Sequence, residues 1–188
     1  MNLLELSKKY GKDEYRLLKE NPTLENLNFF SSLALGATEW IEVSGKVLFL
    51  GSQIAILDDL TKKAEVDIYE DENERLESVR AVFGGNIGYI DYFSAINFEK
   101  YNIVIAYGSK MVSRLIEKNM PNVKTVLIFD NKYGMNYLAG GHGDEKPLKI
   151  EDVRDRLSGI EFDTYYPYPN YRQVYKLFSD KESPKEGE

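Results

Sequence analysis

The 188-residue sequence predicts one α/β domain built on a parallel sheet that helices cover on both faces. Short apolar runs alternate with helical patterns through the middle of the chain, as in successive β/α units. The first of these runs, residues 46–51, is apolar after its lysine and ends at glycine, which is typical of a strand buried on both faces. A hydrophobic content of 43% supplies enough apolar side chains for one core.

Five strands are predicted in this central part of the chain, each followed by a helix, a turn or a loop. We expect the strands at residues 46–51, 65–70, 87–91, 101–107 and 123–129. We expect the helices at residues 54–63, 72–83 and 109–117, the last of them capped by Ser109.

The two ends of the chain do not follow this alternation. Residues 1–45 predict an N-terminal helical part. The C-terminal third begins with a glycine-rich loop at 130–148 and continues with a short helix at 150–157 and β runs at 162–168 and 172–179. Because only a short link separates the two β runs, we expect them to be antiparallel. Residues 1–180 then form one domain, followed by a disordered tail at 181–188.

Composition narrows the function classes. Cysteine is absent and histidine occurs once, so neither disulfides nor a metal site are expected. The net charge is −7 and no basic stripe occurs, which argues against nucleic acid as a partner. No apolar run approaches the roughly 20 residues of a membrane span, and the first residues lack a signal-peptide pattern. We therefore expect a cytoplasmic protein that binds small molecules or other proteins.

The loops after the predicted strands are the candidate binding region. In an open parallel sheet, ligands bind beyond the carboxyl ends of the strands, where the strand order reverses. Carboxylates in such loops accept hydrogen bonds from vicinal hydroxyls or from an exocyclic amine. The loops contain Gly51, Ser52, Gln53, Glu70, Asp71, Asp91, Tyr92, Gly108, Ser109, Asp130 and Asn131.

Four segments between Val47 and Ser109 carry a family resemblance: VLFLGSQIAIL, VDIYEDENERL, IGYIDYF and YNIVIAYGS. They resemble the class I S-adenosylmethionine (SAM)-dependent methyltransferases. With the two C-terminal β runs, the resemblance implies a Rossmann-like fold, with a seven-stranded, mostly parallel sheet and an antiparallel last strand. It also implies SAM as the cofactor, with Glu70 at the ribose hydroxyls and Asp91 at the adenine amino group. The other implied cofactor-binding residues are Gly51, Ser52, Gln53 and Gly108.

Three further segments carry a narrower resemblance: TEWIEV, LIFDNKYGMNYLAGGHGDE and YYPYPNYRQVYKLFSD. They are similar to segments of methyltransferase-like proteins from bacterial surface-polysaccharide gene clusters. This resemblance implies methylation of a saccharide or other small acceptor. The alternative is a catalytically inactive relative that acts as a binding or regulatory partner in polysaccharide biosynthesis. A nucleotide-binding oxidoreductase is a third alternative, against which the missing G-x-G-x-x-G pattern counts.

The first loop departs from the family's pattern of an acid followed by three alternating glycines. Phe49 stands in place of the acid, Gly51 is kept, and Gln53 and Ala55 replace the other glycines. Phe49 removes a partner for the cofactor's methionine amino group, and Gln53 adds a side chain where the backbone would approach the ligand. Two interpretations stay open: SAM binds weakly through other contacts, or the fold persists without the activity.

Candidate residues for catalysis and acceptor binding follow the fifth strand. Asp130 and His142 are the catalytic candidates, while Asp130, Asn131 and Tyr133 are the substrate-binding candidates. The pKa of an unperturbed histidine lies near neutral pH, which suits a general base. His142 is also typical of a solvated loop, and Asp130-Asn131 of a turn. The tyrosines near the C-terminus suit a saccharide-stacking surface or a sheet edge covered by a second subunit in a homodimer.

Overall fold

The structure is a computed structural model that describes residues 38–133, 146–169 and 174–181, together with Glu20. Its main strands are β1 (Lys46–Leu50), β2 (Glu65–Tyr69), β3 (Gly88–Tyr89), β4 (Ile103–Tyr107) and β5 (Lys124–Ile128). They form a five-stranded sheet in the order β3-β2-β1-β4-β5, and every neighbouring pair is parallel. The predicted α/β fold with a parallel sheet is confirmed.

Between residues 38 and 181, the described part of the chain has four α-helices: α1 (Ile54–Thr61), α2 (Asn73–Phe83), α3 (Ser109–Glu117) and α4 (Ile150–Arg156). Each begins within one residue of the predicted position. The predicted cap of α3 is wrong, because Ser109 is already the first helical residue and Gly108 is the N-cap. Gly108 has a φ of +87°, a left-handed conformation that glycine adopts readily.

The side chains of β1 alternate between two apolar cores on opposite faces of the sheet. Val47 and Phe49 pack with buried side chains of α1 and α2, whereas Leu48 and Leu50 pack with those of α3. All four are completely buried. This central position in a sheet covered on both faces explains why the run is apolar at consecutive residues.

The strand order reverses between β1 and β4. The chain moves outward from β1 to β2 and β3, then returns to the other side of β1 for β4 and β5. The helices that follow β1 and β4 consequently cover opposite faces, with α1 on one side and α3 on the other. The reversal point lies at the carboxyl ends of β1 and β4, and we call this edge the crevice because ligands of open parallel sheets bind there.

A separate antiparallel pair follows α4: β6 (Tyr165–Pro169) and β7 (Val174–Ser179). Within the described residues this pair shares no ladder with the parallel sheet, so the predicted seven-stranded sheet is divided into five strands and two. Pro167 and Pro169 remove two backbone donors from β6, which makes this strand unsuited to a second ladder. Arg154 of α4 instead holds the pair, because its Nη2 donates to Asp180 Oδ2 at 2.5 Å and to Tyr166 Oη at 3.2 Å.

Most of the predicted N-terminal helical part and the C-terminal tail lie outside the described residues. Trp40 is described, and its ring centroid lies 5.7 Å from that of Tyr165, which joins the segment before β1 to β6. None of the helices described in the structure is long and apolar enough to cross a membrane.

A polar cluster, here called the Asp67 network, lies toward the amino ends of the strands. Asp67 Oδ2 accepts a hydrogen bond from Tyr101 Oη at 2.8 Å and lies 3.1 Å from Lys46 Nζ. Lys46 Nζ also donates to Glu65 Oε1 at 2.6 Å. A Cβ on Gly88 would lie 2.1 Å from Asp67 Oδ1, so the carboxylate depends on the glycine for its space. The network connects β1, β2 and the segment before β4 at the end opposite the crevice.

Candidate functional site

Gly51 forms the floor of the crevice, directly after β1. Its φ is +128°, and its N–H donates to the carbonyl oxygen of Tyr69 at 2.9 Å. A Cβ at this position would lie 3.1 Å from the carbonyl oxygen of Tyr107 and 3.3 Å from the Tyr107 Cβ. Glycine is therefore required both for the left-handed backbone and for the close approach of the ends of β1 and β4.

The side chain of Gln53 is used to cap α1. Its Oε1 accepts a hydrogen bond from the backbone N–H of Ile56 at 2.7 Å, and only 2% of the residue is exposed. The side chain is thus held against the first turn of the helix, where it satisfies a donor that has no intrahelical partner. Ala55 lies inside α1 and is also buried. The sequence-based expectation that Gln53 obstructs the loop did not take this cap into account.

Glu70, the first residue after β2, is a buried carboxylate at the same edge of the sheet. Only 6% of the residue is exposed. It accepts a hydrogen bond from the backbone N–H of Glu72 at 3.0 Å and another from the hydroxyl of Ser52 in the first loop. Desolvation raises the pKa of Glu70, although both hydrogen bonds and the nearby charge of Arg75 act to lower it. Glu70 and Ser52, two of the predicted cofactor residues, are therefore in direct contact.

An ion-pair cluster, here called the Arg114 bridge, joins the loop after β2 to α3. Asp71 lies 2.8 Å from Lys110 Nζ and 3.0 Å from Arg114 Nη1. Arg114 Nη1 also donates to Tyr69 Oη at 2.9 Å, and its guanidinium carbon lies 4.6 Å from the ring centroid of Phe93. In the chain, α2, β3 and β4 lie between β2 and this helix, so the bridge fixes the loop after β2, the segment after β3 and the start of α3 relative to one another.

The bridge was not anticipated from the sequence, although one signal was present. Lys110 and Arg114 are four residues apart, so they share one face of α3 and begin immediately after the loop that follows β4. Their partner Asp71 had been noted only as a loop residue. The spacing identifies the shared face, while the partner depends on how β2 and β4 are arranged around β1.

Asp91 and Gly108 occupy the outer parts of the predicted site. Asp91 follows β3 and is exposed, and the neighbouring Tyr92 is 71% exposed. Gly108 donates its N–H to the carbonyl oxygen of Ile128 at 2.9 Å, which ties the end of β4 to the end of β5. The structure thus places Asp91 at the carboxyl edge as predicted, but more open to solvent than Glu70.

The predicted acceptor residues follow β5. The segment 130–132 pairs with Leu148, whose N–H donates to Asp130 O at 3.1 Å and whose carbonyl oxygen accepts from Lys132 N at 2.7 Å. Asn131 Oδ1 accepts from the backbone N–H of Tyr133 at 3.3 Å, and Tyr133 is 52% exposed. Asn131 therefore has a turn-forming role as well. His142 lies outside the described residues.

Charge is distributed unevenly along the crevice. The residues from Phe49 to Gln53 and from Tyr107 to Ser109 carry no ionisable acid or base other than the tyrosine, whereas Glu70, Asp71, Lys110 and Arg114 cluster beside β2. Phe49 is completely buried in the core and packs on Tyr107, with ring centroids 6.3 Å apart and ring planes inclined by 23°. Within the described ranges, no group of three or more His, Cys, Asp or Glu side chains is arranged to hold a metal ion.

The strand order and its reversal between β1 and β4 define a Rossmann-like fold. Among solved structures, the chain is similar to the plantazolicin methyltransferase BpumL in complex with S-adenosylhomocysteine (SAH). The TM-score is 0.50 at 11% identity, covering 93% of this chain and 82% of that one. For a BpumL complex with a triazolic desmethylPZN analog and SAH, the TM-score is 0.50 at 12% identity, with coverages of 95% and 78%.

The N-methyltransferase NodS from Bradyrhizobium japonicum WM9, in complex with SAH, gives a TM-score of 0.47 at 12% identity, with coverages of 90% and 92%. No protein-family model matches the sequence, and no curated protein matches it either. Identities this low show the fold alone. The two BpumL structures, each with a TM-score of 0.50, confirm the methyltransferase-type fold, while membership of the polysaccharide-cluster subgroup stays a prediction.

Proposed function

We propose that the chain binds SAM in the crevice and acts as a SAM-dependent methyltransferase on a small acceptor. The observation that carries the proposal is the buried carboxylate of Glu70, held by Ser52 of the first loop at the edge of the sheet where ligands bind. A carboxylate in this position accepts hydrogen bonds from two vicinal hydroxyls, the arrangement found on a ribose. The fold shared with SAH-bound methyltransferases supports the same assignment.

The residues present fit the adenosyl part of the cofactor. Gly51 lets the ends of β1 and β4 approach each other closely, which places the first loop beside Glu70 at the carboxyl edge of the sheet. In this proposal Glu70 binds the ribose, Asp91 accepts from the adenine amino group, and Ser52, Gln53 and Gly108 contribute loop backbone. When bound, SAM supplies an electrophilic methyl group on its sulfonium. The chain's own contribution is to bind and orient, which lowers the entropic cost of bringing the acceptor into line.

The proposed acceptor region lies after β5. Asp130, Asn131 and Tyr133 would contact a saccharide or another small molecule, with Asp130 or His142 as the base that accepts a hydroxyl proton. Tyr133 is exposed and therefore accessible to such a ligand. A cytoplasmic location, a role in bacterial polysaccharide biosynthesis and a homodimer belong to the same proposal and rest on the sequence alone.

A second candidate function is that of a catalytically inactive binding or regulatory partner in polysaccharide biosynthesis. It is favoured by Phe49, which stands where related methyltransferases carry an acid and is completely buried against Tyr107. A buried aromatic ring cannot bind an ammonium group as a carboxylate does. The two candidates agree on the fold and differ in whether methyl transfer occurs.

Isothermal titration with SAH, and with SAM at low temperature, tests the proposal. We expect saturable binding of one molecule per chain, with homocysteine, which lacks the adenosyl group, as the control that does not bind. Absence of binding by both adenosyl compounds at millimolar concentration contradicts the proposal. Binding of both compounds with no methyl transfer to any of a panel of saccharide acceptors favours the inactive candidate.

A further inference from the structure

The two carboxylates of the proposed adenosine site follow neighbouring strands, Glu70 after β2 and Asp91 after β3. β3 is only two residues long, and a further hydrogen bond, from Ile90 N to Ile68 O at 2.9 Å, extends its pairing with β2. The ladder therefore ends just before Asp91. A ligand that uses both carboxylates requires them at a fixed separation, so contacts beyond the ladder bear directly on binding.

Arg114 of α3 makes such contacts with both segments. On the β2 side, its Nη1 lies 3.0 Å from Asp71 Oδ2 and donates to Tyr69 Oη at 2.9 Å. On the β3 side, its guanidinium carbon lies 4.6 Å from the ring centroid of Phe93, two residues after Asp91. The rings of Tyr69 and Phe93 are buried with their centroids 5.3 Å apart, so the guanidinium covers a ring pair that the two segments share.

Two other cations lie in a row with Arg114 along α3, four residues before it and four after it. Lys110 Nζ lies 2.8 Å from Asp71 Oδ1, on the β2 side. Lys118 Nζ donates to the carbonyl oxygen of Phe93 at 3.2 Å, on the β3 side. These two lysines supply matched controls, because changing either one leaves the contacts of Arg114 with both segments in place.

We infer that Arg114 is a positioning residue for the nucleoside, which sets Asp91 at the distance from Glu70 that adenosine requires. The inference rests on the proposed function, in which Glu70 binds the ribose and Asp91 binds the adenine amino group. Arg114 acts through Asp71 and Phe93, and not by contact with the ligand. The consequence is selectivity for adenine over a base without the amino group, because adenosine uses both carboxylates at once.

Calorimetric titrations with SAH and S-inosylhomocysteine test this positioning role. The two compounds differ only at the base, where a carbonyl oxygen replaces the adenine amino group. We expect the wild-type chain to prefer SAH by about tenfold, since the amino group donates to a charged acceptor. In Arg114→Met this preference should fall by about threefold or more. A merely structural role of Arg114 would weaken the binding of both compounds equally and leave the preference unchanged.

The control variants Lys110→Met and Lys118→Met should keep the wild-type preference. Arg114→Lys keeps the charge but lacks the planar fork that donates and stacks at once, so its preference should also fall. This variant decides the question if Arg114→Met does not fold, as checked by circular dichroism.

Three results overturn the inference and leave SAH binding, and with it the proposed function, intact. They are equal affinity of the wild type for the two compounds, an unchanged preference in the folded Arg114 variants, and an equal fall in either lysine control. Absence of SAH binding to the wild type removes both the inference and the proposed function.

Discussion

Two carboxylates of the same chain segment, Asp67 and Glu70, illustrate how different the two ends of the sheet are. Asp67 lies within β2 and accepts from Tyr101 while it pairs with Lys46, so its charge is compensated by the protein itself. Glu70 follows β2 and is buried, and desolvation is the largest influence on its pKa. The Asp67 network therefore stabilises the amino ends of the strands, whereas Glu70 is a desolvated carboxylate at the carboxyl ends, where the proposed function places the ribose.

The largest effect is expected from a variant at the amino end of the sheet. Asp67→Ala leaves the buried hydroxyl of Tyr101 without its acceptor and removes one of the two carboxylates that pair with Lys46. We expect the free energy of unfolding to fall by about 2–3 kcal/mol in urea denaturation, because an unsatisfied buried polar group and a broken ion pair both contribute. SAH affinity should stay unchanged in the folded protein.

Asp59→Ala is the matched control for this variant. It removes an aspartate that pairs with Lys63 at an exposed i,i+4 position of α1, so stability should change by less than about 0.5 kcal/mol. If Asp67→Ala weakened SAH binding as much as Glu70→Gln, the proposed difference between the amino and carboxyl ends of the sheet would be contradicted.

The second prediction concerns Glu70 itself. Glu70→Gln keeps the size of the side chain and removes the desolvated charge, so we expect stability at neutral pH to be equal or higher. SAH binding should weaken about tenfold or more, since hydrogen bonds to a charged group contribute roughly 1.5–3 kcal/mol. Glu72→Gln changes the half-exposed neighbour and should leave the affinity unchanged. Equal losses in both variants would show that the loop, and not this carboxylate, determines binding.

The pH dependence of the wild type gives an independent check on Glu70. Its pKa is raised in the folded state, so the folded chain holds this proton more tightly than the unfolded chain. The stability from this group is therefore fully present below the ordinary carboxyl pKa and is lost as pH rises through the raised pKa. Ligand affinity should change in the opposite direction, because only the ionised carboxylate accepts from both ribose hydroxyls. The part of both pH dependences that is due to this group should be absent from Glu70→Gln.

The smallest expected effect concerns the first loop. Replacing Gln53 and Ala55 together by glycine restores the family's glycine pattern but removes the cap of α1 and adds a flexible residue within it. We expect stability to fall by about 1–2 kcal/mol and SAH affinity to stay the same. Gln53→Glu, which keeps an acceptor for the N–H of Ile56, should retain the stability. A clear gain in affinity by the double variant would support the earlier steric interpretation.

The central β/α alternation was predictable from the sequence, because the uninterrupted apolar run of β1 reflects burial on both faces of the sheet. The placement of Gly51 and Glu70 at one edge of the sheet was also predictable, because each residue stands at the predicted end of its strand. Other features depend on distant pairing. The Arg114 bridge joins residues 43 positions apart, and the extent of β3, two residues instead of five, reflects its pairing with β2.

The function of Gln53 was missed for a local reason. Helix caps are usually Ser, Thr, Asp or Asn, so a glutamine before α1 was interpreted as a residue facing the ligand. The separation of β6 and β7 from the main sheet was missed because both segments have ordinary β patterns. The two prolines of β6 were the available signal, since each removes a donor that a second ladder would need.

The space that Gly88 provides for Asp67 has a consequence for how this sequence can change over time. Any side chain at position 88 would displace the carboxylate, and with it the contacts to Lys46 and Tyr101. Substitutions at these four positions, which are far apart in the sequence, should therefore be correlated among homologues. Such a pattern would identify relatives of this chain even where the loops of the crevice have diverged.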